Sequence, residues 1–326
     1  MTLVQLRYLV AIADAGLNIT LAATRVHATQ PGLSKQLKQL EDELGFRLFT
    51  RAGKSLSAVT PAGAQVLERA RVILAEALNI RAIAANLRKE AQGDLRIATT
   101  HTQARFALPN AIAALRQAFP DVGVHLQPLH DSDVLPRLES GHVDFAVIST
   151  PGKTPDGGLA LPAFRWQRVI LAPADHPIAK RKRPPTLAEL AALPIISYDS
   201  SRSAGSSLRR AFAEAGLQPQ INLTAGDADL IKTYVRAGLG IGVLAEMAIL
   251  PSDSDLVAIS AEHLFPECTA WVVIRPGTVL RDYAYAFIDE LAPHLDRRDI
   301  TRALAGDGIP DWGDIPNWQQ RLALAA

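Results

Sequence analysis

The sequence predicts an α/β protein built in three parts: an N-terminal winged helix-turn-helix, a long linker helix, and a two-lobed α/β body. Three observations carry this expectation. A leucine-striped helix behind a short capped helix opens the chain, and an uninterrupted seven-residue repeat follows. From about residue 91, short apolar runs then alternate with helical patterns. The expected boundaries are 1–59 for the head, 60–90 for the linker helix, 91–300 for the body and 301–326 for a C-terminal tail.

In the head, Leu33, Leu37, Leu40 and Leu44 recur at steps of four, three and four, one face of a helix. Thr29 or Gln30 occupies its entry, Pro31 its first turn and Gly45 its end. Pro31, Lys35 and Lys38 fall opposite the leucines, with Ser34 on the flank and the acidic Glu41, Asp42 and Glu43 held to the end. That outer face suits either a solvated surface helix or one whose front meets phosphates and base edges. The preceding Asn18–His27 reads as a short capped helix with Ile19, Ala22, Ala23 and Val26 inward, ending in a tight break at His27-Ala28. Afterwards, Phe46 to Val59 places two short apolar runs around a basic, glycine-containing tip, the form of a β wing. The candidate nucleic-acid contacts are therefore Thr29, Gln30, Pro31, Ser34, Lys35 and Lys38 on the helix, with Arg51 and Lys54 on the wing.

At 326 residues the chain is too long for one ordinary domain. With 48% hydrophobic and 21% charged residues, it belongs with globular rather than disordered proteins. The absence of a signal-like N-terminus and of any run near the roughly 20 apolar residues of a membrane span leads us to expect a cytoplasmic protein with no membrane partner. The single cysteine, Cys268, fits a reducing compartment and reads as a buried, inert thiol. The net charge of +1 hides an asymmetry, because residues 1–90 hold 12 Lys or Arg against 7 Asp or Glu. A locally basic end is expected of a small domain that meets a polyanion.

Thr60-Pro61 opens the linker as cap and first helical residue. Val66, Ala70, Ile73, Ala77, Ile80, Ala84 and Leu87 then alternate by four and three, the period of a seam between two long helices. Two readings are open: a homodimer through this helix, or a helix packed on its own chain.

In the body, strands are expected at Leu95–Ala98, Val122–Leu126, Val143–Ile148, Arg168–Ala172, Pro194–Tyr198, Ile221–Leu223, Gly240–Leu244 and Ala270–Ile274, the last returning to the first set. Helices are expected over Thr102–Ala118, Asp133–Ser140, Ser206–Ala215 and Asp229–Ala237. Two such lobes joined by crossing strands place a cleft at the carboxyl ends of the strands. Hydroxyl-rich strand ends fall there: Thr99-Thr100-His101-Thr102-Gln103, Ser149-Thr150 and Ser200-Ser201-Arg202-Ser203. Together they would form an anion site, helped by a positive helix end. Helix capping for the first and an ordinary serine-rich loop for the last are the plain alternatives.

The first sixty or so residues resemble the winged helix-turn-helix of LysR-type transcriptional regulators. The resemblance rests on Gln30-Pro31-Gly32-Leu33-Ser34, Leu40-Glu41, Gly45, Leu48-Phe49 and Thr60-Pro61-Ala62-Gly63 in that order. Ala98 to Pro109, Thr224 to Arg236 and Ala292-Pro293-His294-Leu295 are in turn similar to the CysB-type branch, which controls sulfur assimilation. The likeness extends to about residue 300. It implies a periplasmic-binding-protein-like effector domain, promoter DNA with paired half-sites, a homodimer or homotetramer, and contact with RNA polymerase. It also implies a small-molecule effector such as sulfate, thiosulfate or acetylserine, held by Thr100, Thr102 and Gln103. Threonines of the family correspond here to Ser149 and Ser203, and Arg202 would add a charge that the usual pocket lacks. A sulfonate-pathway metabolite or an aromatic carboxylate is the alternative effector.

Other features carry less. Lys180-Arg181-Lys182-Arg183 reads as a solvated basic loop rather than a second nucleic-acid contact, and His101 as a hydrogen-bonder at the pocket edge. No metal spacing, catalytic residue or organic cofactor is expected, which disfavours an enzyme. A solute-binding transport protein would account for the two-lobed body but not for the basic head. The tail, with Trp312 and Trp318, would pack either on the effector domain or on a neighbouring subunit.

Overall fold

In the computed structural model, residues 1–53 and 55–324 are described, and the chain divides into two units, Met1–Arg88 and Lys89–Ala326. The first unit opens with α1 (Leu3–Asp14), capped reciprocally by Thr2 and Gln5. Next come α2 (Ile19–Arg25), capped by Asn18, and α3 (Gln30–Leu44), capped by Thr29 and ended by Gly45 at φ 79°. The leucine stripe acts as its spacing requires: Leu33, Leu37 and Leu40 are buried against Leu6, Leu9, Ile12 and Ala22. Each such side chain stabilises the unit by about 1.5–3 kcal/mol. The wing is an antiparallel pair, β1 (Phe49–Ala52) and β2 (Ser55–Val59).

Helix α4 (Pro61–Leu87) begins at the Thr60 cap and passes so close to the wing that a Cβ on Gly63 would lie 2.1 Å from the Leu48 carbonyl oxygen. Only glycine permits that approach. The expected seven-residue seam is buried in its first half and exposed in its second. In the first half of α4, Leu67 and Ala70 are buried in the unit's own core with α1, and Arg71 Nη2 bonds Asp14 Oδ1 at 2.8 Å. Beyond that the seam residues Ile73, Ile80 and Leu87 are exposed, as are Leu78 and Ile83.

The second unit starts with β3 (Gly93–Thr100), α5 (Pro109–Ala118), β4 (Val122–Leu129), α6 (Asp131–Glu139), β5 (Phe145–Pro151) and β6 (Leu159–Trp166). The chain then enters β7 (Arg168–Pro173), α7 (Leu187–Ala191), β8 (Pro194–Tyr198), α8 (Ser207–Glu214), β9 (Gln220–Ala225), α9 (Ala228–Arg236), β10 (Ile241–Ala245) and β11 (Leu256–Ser260). It returns through β12 (Cys268–Ile274) and closes with α10 (Asp282–Leu291), α11 (Arg297–Ala305) and α12 (Trp318–Leu324). The first lobe's sheet has the order β4-β3-β5-β12-β6, and the second lobe's β11-β7-β10-β8-β9. Parallel pairing of β3 with β4 and β5, and of β8 with β9 and β10, points their carboxyl ends at the space between the lobes. Residue 167 and the segment between β11 and β12 are the two crossovers.

Strand β11 and helices α7 and α10 are not among the expected elements, and three further departures have a plain physical reason. Strand β6 contains Pro162, which argues against an interior strand, but β6 lies at the sheet edge, where the missing N–H costs little. The helix expected over Thr102–Ala118 is broken. Gln103–Ala107 forms a wide π turn closed by Leu108 N–H on Gln103 O, and α5 restarts at Pro109, which has no N–H to continue the ladder. Finally, the expected boundary at residue 300 falls inside α11, whose Ile300 and Leu304 are buried in the first lobe's core. The chain beyond packs on the same lobe. Arg165 donates from its backbone N–H to Pro316 O and from Nε to Ile315 O, Trp318 lies against Phe164, and the buried Arg321 guanidinium stacks on both rings. Trp318→Ala should therefore cost the effector domain about 3 kcal/mol, read as a lower urea midpoint for its unfolding transition in the full-length protein; an unchanged midpoint would contradict this packing.

Candidate functional site

Two surfaces collect the candidate residues, one in each unit. On the head, Thr29, Gln30, Pro31, Lys35 and Lys38 are exposed along the outer face of α3, and Ser34 is half-buried on its flank. Thr29 Oγ1 accepts Gly32 N–H at 3.3 Å as the cap, and Gln30 Nε2 lies 3.4 Å from Ser34 Oγ. Lys54 lies outside the described residues.

Glu41 does not share the outer face with Asp42 and Glu43. Its carboxylate is buried, accepting Leu48 N–H at 2.9 Å, Phe49 N–H at 3.4 Å and Arg47 Nη1 at 2.8 Å, with Arg51 Nη2 at 3.5 Å. One carboxylate thus faces two guanidiniums, and the base of the wing keeps a net positive charge at two half-exposed arginines. Arg47 is a contact candidate that the wing pattern alone did not single out. Burial works to raise the pKa of Glu41, but the Arg47 hydrogen bond and the two backbone donors outweigh it, and the carboxyl titrates below its ordinary 4.5. A depressed folded pKa contributes stability that is complete above the ordinary value and is lost as pH falls through the lowered one. Head stability measured by chemical denaturation should therefore decline as pH drops below 4.5, and Glu41→Gln should be less stable at neutral pH and flatter in acid. An identical acid slope in both proteins would overturn the assignment.

In the second unit a cavity of about 390 Å³ lies between the lobes. Thr100, Thr102 and Gln103 line it from the end of β3, Ser149 from the end of β5, and Ser203 from the loop after β8. Of the expected effector contacts only Arg202 is missing from the wall. Asp199–Arg202 is one 3-10 turn, which advances about 120° per residue. Asp199 and Ser200 from this turn and Ser203 just after it line the cavity, while Ser201 is buried and Arg202 is exposed away from the wall. Not every hydroxyl of the threonine run is available: Thr99 is buried and donates to Val147 O at 2.8 Å. His101 is not at this cavity's edge either; it lines a separate groove with Arg105, Asp227 and Asp229, where Arg105 pairs with Asp229 across the lobes.

The wall is a connected network. Gln103 Nε2 donates to Ser149 Oγ at 2.6 Å, and Trp166 Nε1 donates to the same oxygen at 3.0 Å. Gln103 Oε1 and Ser207 Oγ, both buried and both lining the cavity, have no protein partner. Ser206 caps α8, accepting Arg209 N–H at 3.2 Å, so the positive end of that helix begins at the wall. Tyr198 Oη accepts Ala245 N–H at 3.2 Å, and burial raises its pKa, which keeps it a donor. Cys268 also reaches the wall; burial pushes its thiol up, away from the reactive thiolate. Trp166, Arg168 and Cys268 come from the crossovers rather than from parallel strand ends, so the strand-end rule did not find them. A Trp-x-Arg sequence where two strands abut was the available signal.

Arg181 and Arg183 of the basic loop each meet Glu189 at 2.6 Å, which neutralises part of its charge and leaves it a capping arrangement for α7. Among the described residues there is no cluster suited to a metal ion and no helix long and apolar enough to cross a membrane.

Comparison with known proteins assigns both units to one family. Residues 3–64 match the family described as "Bacterial regulatory helix-turn-helix protein, lysR family", and residues 88–296 match "LysR substrate binding domain". The chain belongs to the LysR family of transcriptional regulators. It is 41% identical over 299 residues to the HTH-type transcriptional regulator CysB of Haemophilus influenzae, covering 92% of each chain. It is 38% identical to the HTH-type transcriptional regulator SsuR of Burkholderia cenocepacia, covering 92% of this chain and 97% of that one. The crystal structure of the cofactor-binding domain of the Cbl transcriptional regulator superposes with a TM-score of 0.61 at 36% identity, covering 66% of this chain and 94% of that one. As a LysR-type regulator the chain binds promoter DNA through its helix-turn-helix and is not an enzyme.

Proposed function

We propose that this regulator controls genes of sulfur acquisition and responds to a small anion, such as sulfate, thiosulfate or acetylserine, bound between the lobes of its effector domain. The observation that carries the reading is the convergence of Thr100, Thr102, Gln103 and Ser149 on one cavity, with Gln103 and Ser149 already hydrogen-bonded. The CysB and SsuR relatives support the sulfur assignment. A cavity of about 390 Å³ exceeds what a tetrahedral oxyanion fills. That size, with Trp166 in the wall, favours an acylated amino acid or, as the second reading, a sulfonate or aromatic carboxylate. The exposed apolar residues of the second half of α4 support a homodimer through that helix, assembling further into a tetramer on paired half-sites.

Calorimetry of the full-length chain with sulfate, thiosulfate and N-acetylserine tests the effector class. Heat from at least one, abolished in Thr102→Ala, is the expected result; no heat from any of the three overturns the sulfur reading. Sequencing the DNA bound with and without these compounds should recover promoters of sulfur-acquisition genes. On the DNA side, Lys35→Ala should weaken promoter binding about equally across sequences and lower the salt slope by about one. A loss confined to one base position would instead make Lys35 a base reader.

A further inference from the structure

We propose that Arg168 is the charged contact that holds the effector's anionic group, an assignment that rests on the anion-cavity reading above. Arg168 opens β7 one residue after the first crossover, so its guanidinium enters the cavity wall from the hinge. It is half-buried, lies over the Trp166 ring at 5.6 Å, and donates from Nη1 to Cys268 Sγ at 3.3 Å. None of the ion pairs of the described residues includes it. A thiol is a weak acceptor for a group with five N–H donors, and a half-buried guanidinium without a counter-ion is costly. Asp131 and Asp199 also line the wall but form no ion pair with Arg168, so an oxyanion in the cavity supplies the direct partner, and a planar fork takes it through two parallel hydrogen bonds.

The neighbouring hydrogen bonds point the same way. Ser149 Oγ accepts from both Gln103 Nε2 and Trp166 Nε1, which fills its lone pairs and leaves its own proton to be donated into the cavity. Trp166 therefore does two things: its N–H fixes Ser149 as a donor, and its face carries the Arg168 guanidinium. A neutral O–H and a cationic fork on either side of one indole complement a carboxylate, sulfonate or sulfate group, and reject a neutral isostere.

The position also ties the ligand to the hinge. Arg168 O accepts Ala261 N–H at 3.2 Å, its guanidinium reaches Cys268 at the start of β12, and the adjacent Gln167 exchanges two hydrogen bonds with Glu246. An anion drawing on Arg168 thus bears on both chain crossings at once.

The test is calorimetry of the full-length protein with sodium sulfate and N-acetylserine, for the wild type, Arg168→Met, Arg168→Lys and Thr102→Ala. Circular dichroism and thermal unfolding without ligand report whether each variant folds; should Arg168→Met not fold, Arg168→Gln takes its place. For whichever anion the wild type binds, Arg168→Met should weaken binding tenfold or more and Arg168→Lys should recover part of it. Rising NaCl should weaken the wild type and leave the residual binding of Arg168→Met nearly flat. Wild-type affinity in Arg168→Met alongside lost binding in Thr102→Ala overturns the role of Arg168 and leaves the cavity reading standing. If the wild type binds neither anion, the cavity reading falls and this proposal with it.

Discussion

The cavity exists because the chain crosses between the lobes twice, and both crossings are short and pinned. Gln167 N–H donates to Glu246 Oε1 at 2.8 Å while Glu246 N–H donates back to Gln167 O at 3.0 Å. The second crossing is fastened to the first through Ala261 N–H on Arg168 O and through Arg168 on Cys268. Burial raises the pKa of Glu246 above its ordinary value, and the Gln167 N–H opposes that rise. With the crossings fixed, two sheets of similar order must meet with their carboxyl ends toward a common space. The hydroxyls, the helix end at Ser206 and the guanidinium of Arg168 are then brought together from segments far apart in the chain.

Such a hinge suits a sensor. Arg105 pairs with Asp229 across the lobes on one side, and the cavity wall spans them on the other. A ligand that bonds Thr100 and Ser149 from the first lobe and Ser203 or Ser207 from the second has a different affinity for each lobe arrangement, which is the requirement for shifting it. In the head the comparable device is Glu41. It spends the charge of a buried carboxylate on Arg47, Arg51 and two backbone donors, locking the wing to α3. What remains on the outer face is Thr29, Gln30, Lys35 and Lys38, donors and cations that a duplex can meet.

Local chemistry was strong enough to be legible wherever a residue's neighbours in the chain are also its neighbours in space. The leucine stripe of α3, its Thr29 cap and Gly45 stop, the Thr60-Pro61 start of α4, and the strand β8 fall where periodicity and capping put them. The polar ends of β3 and β5 were legible for the same reason, since parallel strands deliver their carboxyl ends to one side. Arg202 is exposed and off the wall although its neighbours Ser200 and Ser203 line it, a difference in direction that composition along the loop does not encode. From the sequence, residues 301–326 read only as a tail; burial of Leu304, Trp318 and Arg321 in the first lobe decides their role.

The sequence by itself determined the order of parts, the polar and basic outer face of α3 and the hydroxyl-rich strand ends, because periodicity, capping and charge act over a few residues. Tertiary structure alone decided that Glu41 turns inward, that Arg168 and Cys268 meet at the hinge, and that the chain end completes a lobe. Those outcomes depend on burial and pairing between residues up to about a hundred or more positions apart, distances over which a linear pattern carries no energy until the chain has closed on itself.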